Sequence, residues 1–280
     1  VAIFGMGHVG LELARILARQ RIELDLVDSR AEMLSAERLG DPGSTGVLAL
    51  NAGSVVNAGY VGVGATPAGQ GGVGVLVLND STVNTTTFEI GALGLLTGDG
   101  GTINASGDVI VGGTISPGNS PGRVTIDCNL IMLPGSFLVL DVLGTGDGFS
   151  VDHLRIGDNS TFELHDLHIV FNFLGDTDPN SFAASGGFDL DNFIQSLDLQ
   201  TGAVSGLSTV FAPGQTWGDV IDSNAITAVS PVYDISNIHV DADGTVTVVA
   251  VPVPEPETWA MLTIGLMALG AMARRRQRRS

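Results

Sequence analysis

The sequence predicts a mainly β protein: a right-handed β-solenoid body, preceded by a short βαβ segment and followed by a C-terminal transmembrane helix. Three observations carry this. Residues 43 to 122 hold 20 of the 39 glycines and alternate short Val, Leu and Ile runs with Gly, Asn, Ser and Thr turns, without helical periodicity. One string recurs: Gly46-Val-Leu-Ala-Leu-Asn51 returns as Gly74-Val-Leu-Val-Leu-Asn79. The C-terminal residues run from a Pro-rich break through an uncharged apolar stretch to an Arg cluster.

Residues 1–42 read as strand, Gly-rich turn, helix and strand. Ala2-Ile-Phe precedes Gly5, Gly7 and Gly10; Leu11, Leu13, Ala14, Ile16 and Leu17 follow at helical period, and Leu24, Leu26 and Val27 lead to Asp28. Gly5 permits the tight turn, Gly7 lets a pyrophosphate approach the backbone and Gly10 packs helix on strand. Asp28, at the end of the second strand, is placed to hydrogen-bond a ribose hydroxyl. The string Gly5-Met-Gly-His-Val-Gly10, with Val27-Asp28-Ser29-Arg30, resembles the Rossmann domain of the XdhC family, cytoplasmic accessory proteins for the molybdenum cofactor of xanthine dehydrogenase. The resemblance ends at about Pro42. A single βαβ unit lacks the further strands of a nucleotide crevice, so an NAD-type dinucleotide is expected only if these residues belong to a complete domain. No charged n-region and apolar h-region precede residue 42, and the composition shifts there, so residues 1–42 are expected to be a truncated or fused piece.

The body divides into solenoid repeats over 43–175 and a looser β region over 176–253. Each copy of the repeat leads into a segment ending in an apolar-Gly pair, Val63-Gly64 and then Ile90-Gly91, and a third pass runs from Gly101 to Gly112. Repeats of this length point to stacked rungs sharing one elongated core. Residues 113–126, with Gly135-Ser-Phe-Leu-Val-Leu-Asp141 and Asp152-His-Leu-Arg-Ile-Gly157, resemble successive segments of autotransporter passengers, a likeness covering residues 46–175. Ser116-Pro-Gly-Asn-Ser-Pro-Gly122 reads as a pair of Pro-Gly turns making a corner, its serines bonding backbone rather than serving as nucleophiles. Beyond 176, Thr245–Val251 is expected to close the sheet. Asp189, Asp191 and Asn192, and Asp241, Asp243 and Gly244, are fragments of a calcium loop without the run of ligands ending in Glu. His165 and His168 fall on opposite faces of a strand, which disfavours a shared metal. No catalytic or metal site is expected.

Charge narrows the function classes. All 12 basic residues are Arg, against 30 acidic residues; between 43 and 253 only Arg123 and Arg155 face 21 acidic side chains. Nucleic-acid binding, which needs a basic face, is excluded. An acidic, self-repelling surface suits an exported protein. The single Cys128 rules out an intrachain disulfide and is expected to fill the core.

In the tail, Pro254 and Pro256 lack amide donors and separate the body from the apolar segment 259–273, which is uncharged. At about 1.5 Å per residue that segment spans roughly 22 Å, short of the roughly 30 Å hydrocarbon core. Trp259 at one end and snorkelling Arg274, Arg275 and Arg276 at the other extend its reach, with the Arg cluster cytoplasmic and the body outside the inner membrane. Pro254-Glu255-Pro256, the apolar run from Trp259 and the Arg cluster together resemble the PEP-CTERM sorting signal, whose bearers include proteins with β-helical bodies. That resemblance implies recognition of Pro254, Glu255 and Pro256 by an exosortase, a membrane-embedded cysteine transpeptidase-like protease of Gram-negative bacteria. The body would then be released to the envelope or an exopolysaccharide matrix. The chain is thus expected to be a non-enzymatic structural or adhesive substrate of that protease. The alternative is a cytosolic, nucleotide-binding XdhC-like accessory protein for a molybdenum-cofactor oxidoreductase, resting on Gly5, Gly7, Gly10 and Asp28.

Overall fold

A computed structural model describes residues 2–4, 24–27, 33–34, 37–39, 43, 45–118, 121–145, 148–164, 166–222 and 225–253. β-prone runs that recur along a chain can satisfy their backbone by pairing each run with its successor in parallel. The chain does this in two sheets. In the front sheet Thr45–Leu50 pairs with Val73–Leu78, and Gly46 lies opposite Gly74, so the sequence repeat is itself the strand register. In the back sheet Val55–Val63 pairs with Thr82–Ile90, placing Val63 opposite Ile90. Later passes add Gly94–Gly98, Thr114–Pro117, Phe137–Thr145 and His168–Leu174 to the front. The same passes send Gly101–Ala105 with Val109–Val111, Arg123–Ile126 with Leu130–Met132, and His153–Gly157 with Phe162–Glu163 to the back, so these passes cross it as two short strands where the first two cross it as one.

In-register parallel pairing stacks like on like. Leu48, Leu76, Leu96, Ile115, Leu138, Ile169 and Ile226 are register partners in turn, and none is more than 6 % exposed. A second column, Val83, Ile103, Ile126 and Ile156, rises from the back sheet. At about 1.5–3 kcal/mol for each aliphatic side chain taken from water, these columns are the main source of stability. Polar positions stack too: Asn84 donates to Asn57 at 2.8 Å and Asn104 donates to Asn84 at 2.9 Å, an amide ladder on the back sheet.

The spacing is not uniform, and insertions explain it. The return from Gly46 to Gly74 takes a longer stretch of chain than the return from Gly74 to Gly94. The small antiparallel hairpin of Ala65–Thr66 and Gly69–Gln70 accommodates the extra length at a corner. The next corner tolerates only glycine, since a Cβ on Gly91 would lie 2.0 Å from the carbonyl oxygen of Gly64, and one on Gly94 2.1 Å from that of Val63.

Three sequence expectations are corrected. Thr245–Val251 does not close the main sheets: Val246–Pro252 pairs antiparallel with Tyr233–Val240 in a separate two-stranded sheet, because the tight turn at 241–244 folds the strand back on its predecessor. Ser116 and Pro117 belong to a strand rather than a corner, Pro117 lying opposite Gly98. The region after 176 also contains helices, Pro179–Ala184, Leu190–Phe193 and Trp217–Val220. Asp178 caps the first of them and Pro179 opens it, a start signal carried in the sequence.

These late elements cover the end of the core. Phe171 and Phe173 point inward from the last long front strand and meet Phe182, Phe188 and Phe193 in edge-to-face contacts, with ring centroids 4.7 Å apart for Phe171 and Phe188. At the other end Ala2–Phe4 pairs in parallel with Leu24–Val27, which continues onto Thr45–Leu50; Met33–Leu34 and Glu37–Leu39 pair with Val55–Val63. The composition changes at residue 42, but strands on its N-terminal side extend both sheets. Among the described residues no helix is long and apolar enough to cross a membrane, and the segment 259–273 lies outside them.

Truncating the aliphatic column tests its weight. Ile115→Ala is expected to cost about 3 kcal/mol in urea unfolding, whereas the outward-facing neighbour Thr114→Ala should change stability by less than about 0.5 kcal/mol.

Candidate functional site

The last described element is the hairpin that delivers the chain to its C-terminal segment. Its turn is closed by Asp241 N–H donating to Thr245 and Gly244 N–H donating to Asp241. Gly244 is required twice over, by its φ of +97° and because a Cβ there would meet the Trp217 ring at 2.4 Å. Val240, Val246 and Ala250 face the body and are buried.

Backbone and side-chain links clamp this hairpin. The Asn180 amide donates to the Ala250 carbonyl at 2.8 Å and accepts from the Ala250 N–H at 3.2 Å. Leu190 donates to Gly244, Val246 to Phe188 and Trp217 to Ala242. Behind them the Asp191 carboxylate accepts from the Ser208 amide and hydroxyl and from the Trp217 indole, fixing the covering helices. The outer face is open to solvent. Val251 is 58 % exposed and Val253 50 %, with the Val253 N–H donating to Val232 as the last described anchor.

The residues singled out in the sequence fall in several places. Pro254, Glu255, Pro256, Trp259, Arg274, Arg275 and Arg276 lie outside the described residues, which end at Val253. Gly5, Gly7, Gly10 and Asp28 also lie outside them. Phe4 and Val27, the residues before Gly5 and Asp28, are register partners. The two calcium-loop fragments, distant in sequence, meet where Asp189 bridges Thr245. Burial, and then the neighbouring carboxylates of Asp191 and Asp243, hold Asp189 above the ordinary carboxylate range. The described residues contain no group of three His, Cys, Asp or Glu side chains placed to hold a metal. His165 is outside the described set, and His168 stacks on Phe137 with centroids 5.3 Å apart. Cys128 is buried, and burial pushes its thiol up to about 11, which keeps it protonated.

Two residues that matter here leave little signal in the sequence. Asn180, beside the recognisable Asp178-Pro179 start signal, gives no hint of its distant partner Ala250. Asp152 is visible only as the first residue of a motif. Fully buried, it accepts from Gly122 N–H at 2.6 Å through one oxygen and from Asp141 N–H at 2.9 Å through the other. Burial raises its carboxyl to about 7 despite both hydrogen bonds, with the carboxylates of Asp141 and Asp99 adding to the rise. A perturbed acid is a mark of active sites. Here both oxygens accept from backbone, and the adjacent His153 turns its ring to the Asn192 carbonyl at 2.8 Å, so the acid ties the turn at Gly122 to the strand at Asp141.

The chain beyond Val253 decides the role of the hairpin. Residues 252–277 match the PEP-CTERM protein-sorting motif. The motif implies an exosortase as processing partner and export to the cell envelope or the extracellular space, typically in Gram-negative bacteria. Its first two residues, Pro252 and Val253, are the exposed end of the clamped hairpin, so the PEP-CTERM segment leaves the body from a fixed, accessible point. Neither a search of curated proteins nor one of solved structures found a match to the chain.

Two outcomes are expected. Asn180→Ala leaves both polar groups of Ala250 without their partner and should accelerate amide exchange in Val246–Pro252 about tenfold, corresponding to about 1–2 kcal/mol. For Asp152 the folded state retains a proton that the unfolded chain releases above its ordinary value near 3.8. Its stabilising contribution is complete below that value and is lost as pH rises through about 7. Urea unfolding at pH 4, 5.5 and 7.5 should show stability falling by roughly 2–4 kcal/mol, a slope that Asp152→Asn removes.

Proposed function

We propose that this chain is an exported, non-enzymatic β-solenoid protein with a structural or adhesive role in the envelope or extracellular matrix, freed from its C-terminal signal by an exosortase. The observation that carries the reading is the position of the sorting motif, which begins at the exposed end of a hairpin clamped to a stacked, parallel β body. A protease needs an extended segment held clear of the folded domain, and Val251 to Val253 offer the approach to one.

The body supports the same reading. Passes that return in register from Gly46 to His168 are what a solenoid requires, with insertions carried at corners. A rod of this kind presents long, regular faces whose polar rows, such as Asn57, Asn84 and Asn104, suit repetitive hydroxyl-rich partners such as an exopolysaccharide. Its acidic surface keeps it soluble outside the cell.

The test is the C-terminus of the mature protein. Intact-mass measurement of material recovered from the host's envelope and medium should show an end near Pro254, and replacing Pro254, Glu255 and Pro256 by Ala should leave residues 257–280 attached. An intact C-terminus on cytosolic protein that binds NAD would replace this reading with the accessory role attached to residues 1–42.

A further inference from the structure

The two sheets differ in what they show to solvent. Strands of the back sheet carry Glu89, Arg123, Arg155 and Glu163. The four front strands Thr45–Leu50, Val73–Leu78, Gly94–Gly98 and Thr114–Pro117 carry no charged residue at all. Their outward row runs Val47, Val75, Leu95 and Thr114 in register, and continues to Phe137 on the next strand. At the margin of this face Val73, Leu93, Leu133 and Phe137 are each 41–57 % exposed, and Gly74 N–H donates to Leu93 so that Val73 and Leu93 sit side by side. A chain of net charge −18 thus keeps these four strands free of charge, and Asp141 first appears on the next strand, Phe137–Thr145.

We propose that this face is a self-association surface, on which a second copy of the chain packs face to face. Charge selects the occupant. Elsewhere on the body two copies would bring acidic side chains together, 21 of them against two Arg over residues 43–253, whereas the front face brings aliphatic rows against aliphatic rows. A two-fold contact lets the same row meet itself, as an isologous interface requires. Size sets the strength. Strands about 4.8 Å apart and roughly 17 Å long give about 300 Å² per copy over the four uncharged strands. The total, about 600 Å², falls well below a standard interface of at least about 1,200 Å². The contact is therefore weak and reversible, and it operates where chains are concentrated. It does not depend on processing of the C-terminal segment.

Cysteine cross-linking of the full chain tests this directly, because the native Cys128 is buried and its thiol is protonated. Under mild copper-catalysed air oxidation, Thr114→Cys on the front face should give a disulfide-linked dimer at least tenfold more abundant than Thr102→Cys on the back sheet. Raising salt from about 0.05 to 0.5 M should increase the yield by screening the carboxylates elsewhere. Adding Val75→Asp to Thr114→Cys should cut the dimer at least tenfold with an unchanged melting profile. Equal yields from the two cysteines, no dimer from either, a yield that falls with salt, or indifference to Val75→Asp would each overturn the proposal; equal yields would instead point to association through the C-terminal segment.

Discussion

Parallel pairing in constant register is the constraint on which the rest of this molecule depends. A strand in the middle of either sheet satisfies its backbone only if the passes before and after it return to the same place, so Gly46 must meet Gly74 and Val63 must meet Ile90. Once that holds, side chains have no choice but to stack on their counterparts. Aliphatic columns such as Leu76, Leu96 and Ile115 follow from it, and so does the amide ladder of Asn57, Asn84 and Asn104. An extra residue inside a strand would send every later side chain to the opposite face, which is why length variation is confined to corners. The glycine-only corner at Gly91 and Gly94 marks where passes approach too closely for any Cβ.

Asp152 shows how a stacked fold is stapled where its geometry changes. The pass from Ile115 to Leu138 is longer than the one before it, and the pass from Leu138 to Ile169 is longer again. At that transition one carboxylate gathers the amides of Gly122 and Asp141, tying the turn before one back strand to the middle of a front strand. This connects two segments that the sequence presents as separate motifs, the Pro-Gly run ending at Gly122 and the strand opening with Asp152. Burying an acid there without a counter-ion costs ionisation free energy, and the raised carboxyl is the visible result.

The end of the stack has a different chemistry. A parallel stack that simply stopped would expose its core and a row of unpaired backbone groups. Instead Phe171 and Phe173 widen the core, and Phe182, Phe188 and Phe193 from the covering helices fill the space. The hairpin that carries the sorting motif is tied onto this cap through Asn180, so the signal hangs from the most elaborated part of the body.

How much of this was legible follows from where the information lies. The repeat of Gly46–Asn51 as Gly74–Asn79 encoded register, alternation encoded which side chains face the core, and the PEP-CTERM segment encoded destination, because each is a local pattern that reads without knowledge of any distant residue. The helix at Pro179 was not among the expectations, although its start signal, Asp178 before Pro179, stands in the sequence. The tertiary structure alone decided that Val246–Pro252 turns back on Tyr233–Val240, that strands before residue 42 join both sheets, and that Asp152 and Asn180 hold the joints. Those outcomes rest on single contacts such as Asp152 with Asp141 and Asn180 with Ala250, made once rather than repeated. A periodic sequence advertises its periodic contacts, whereas a contact made once leaves no pattern until the chain has folded.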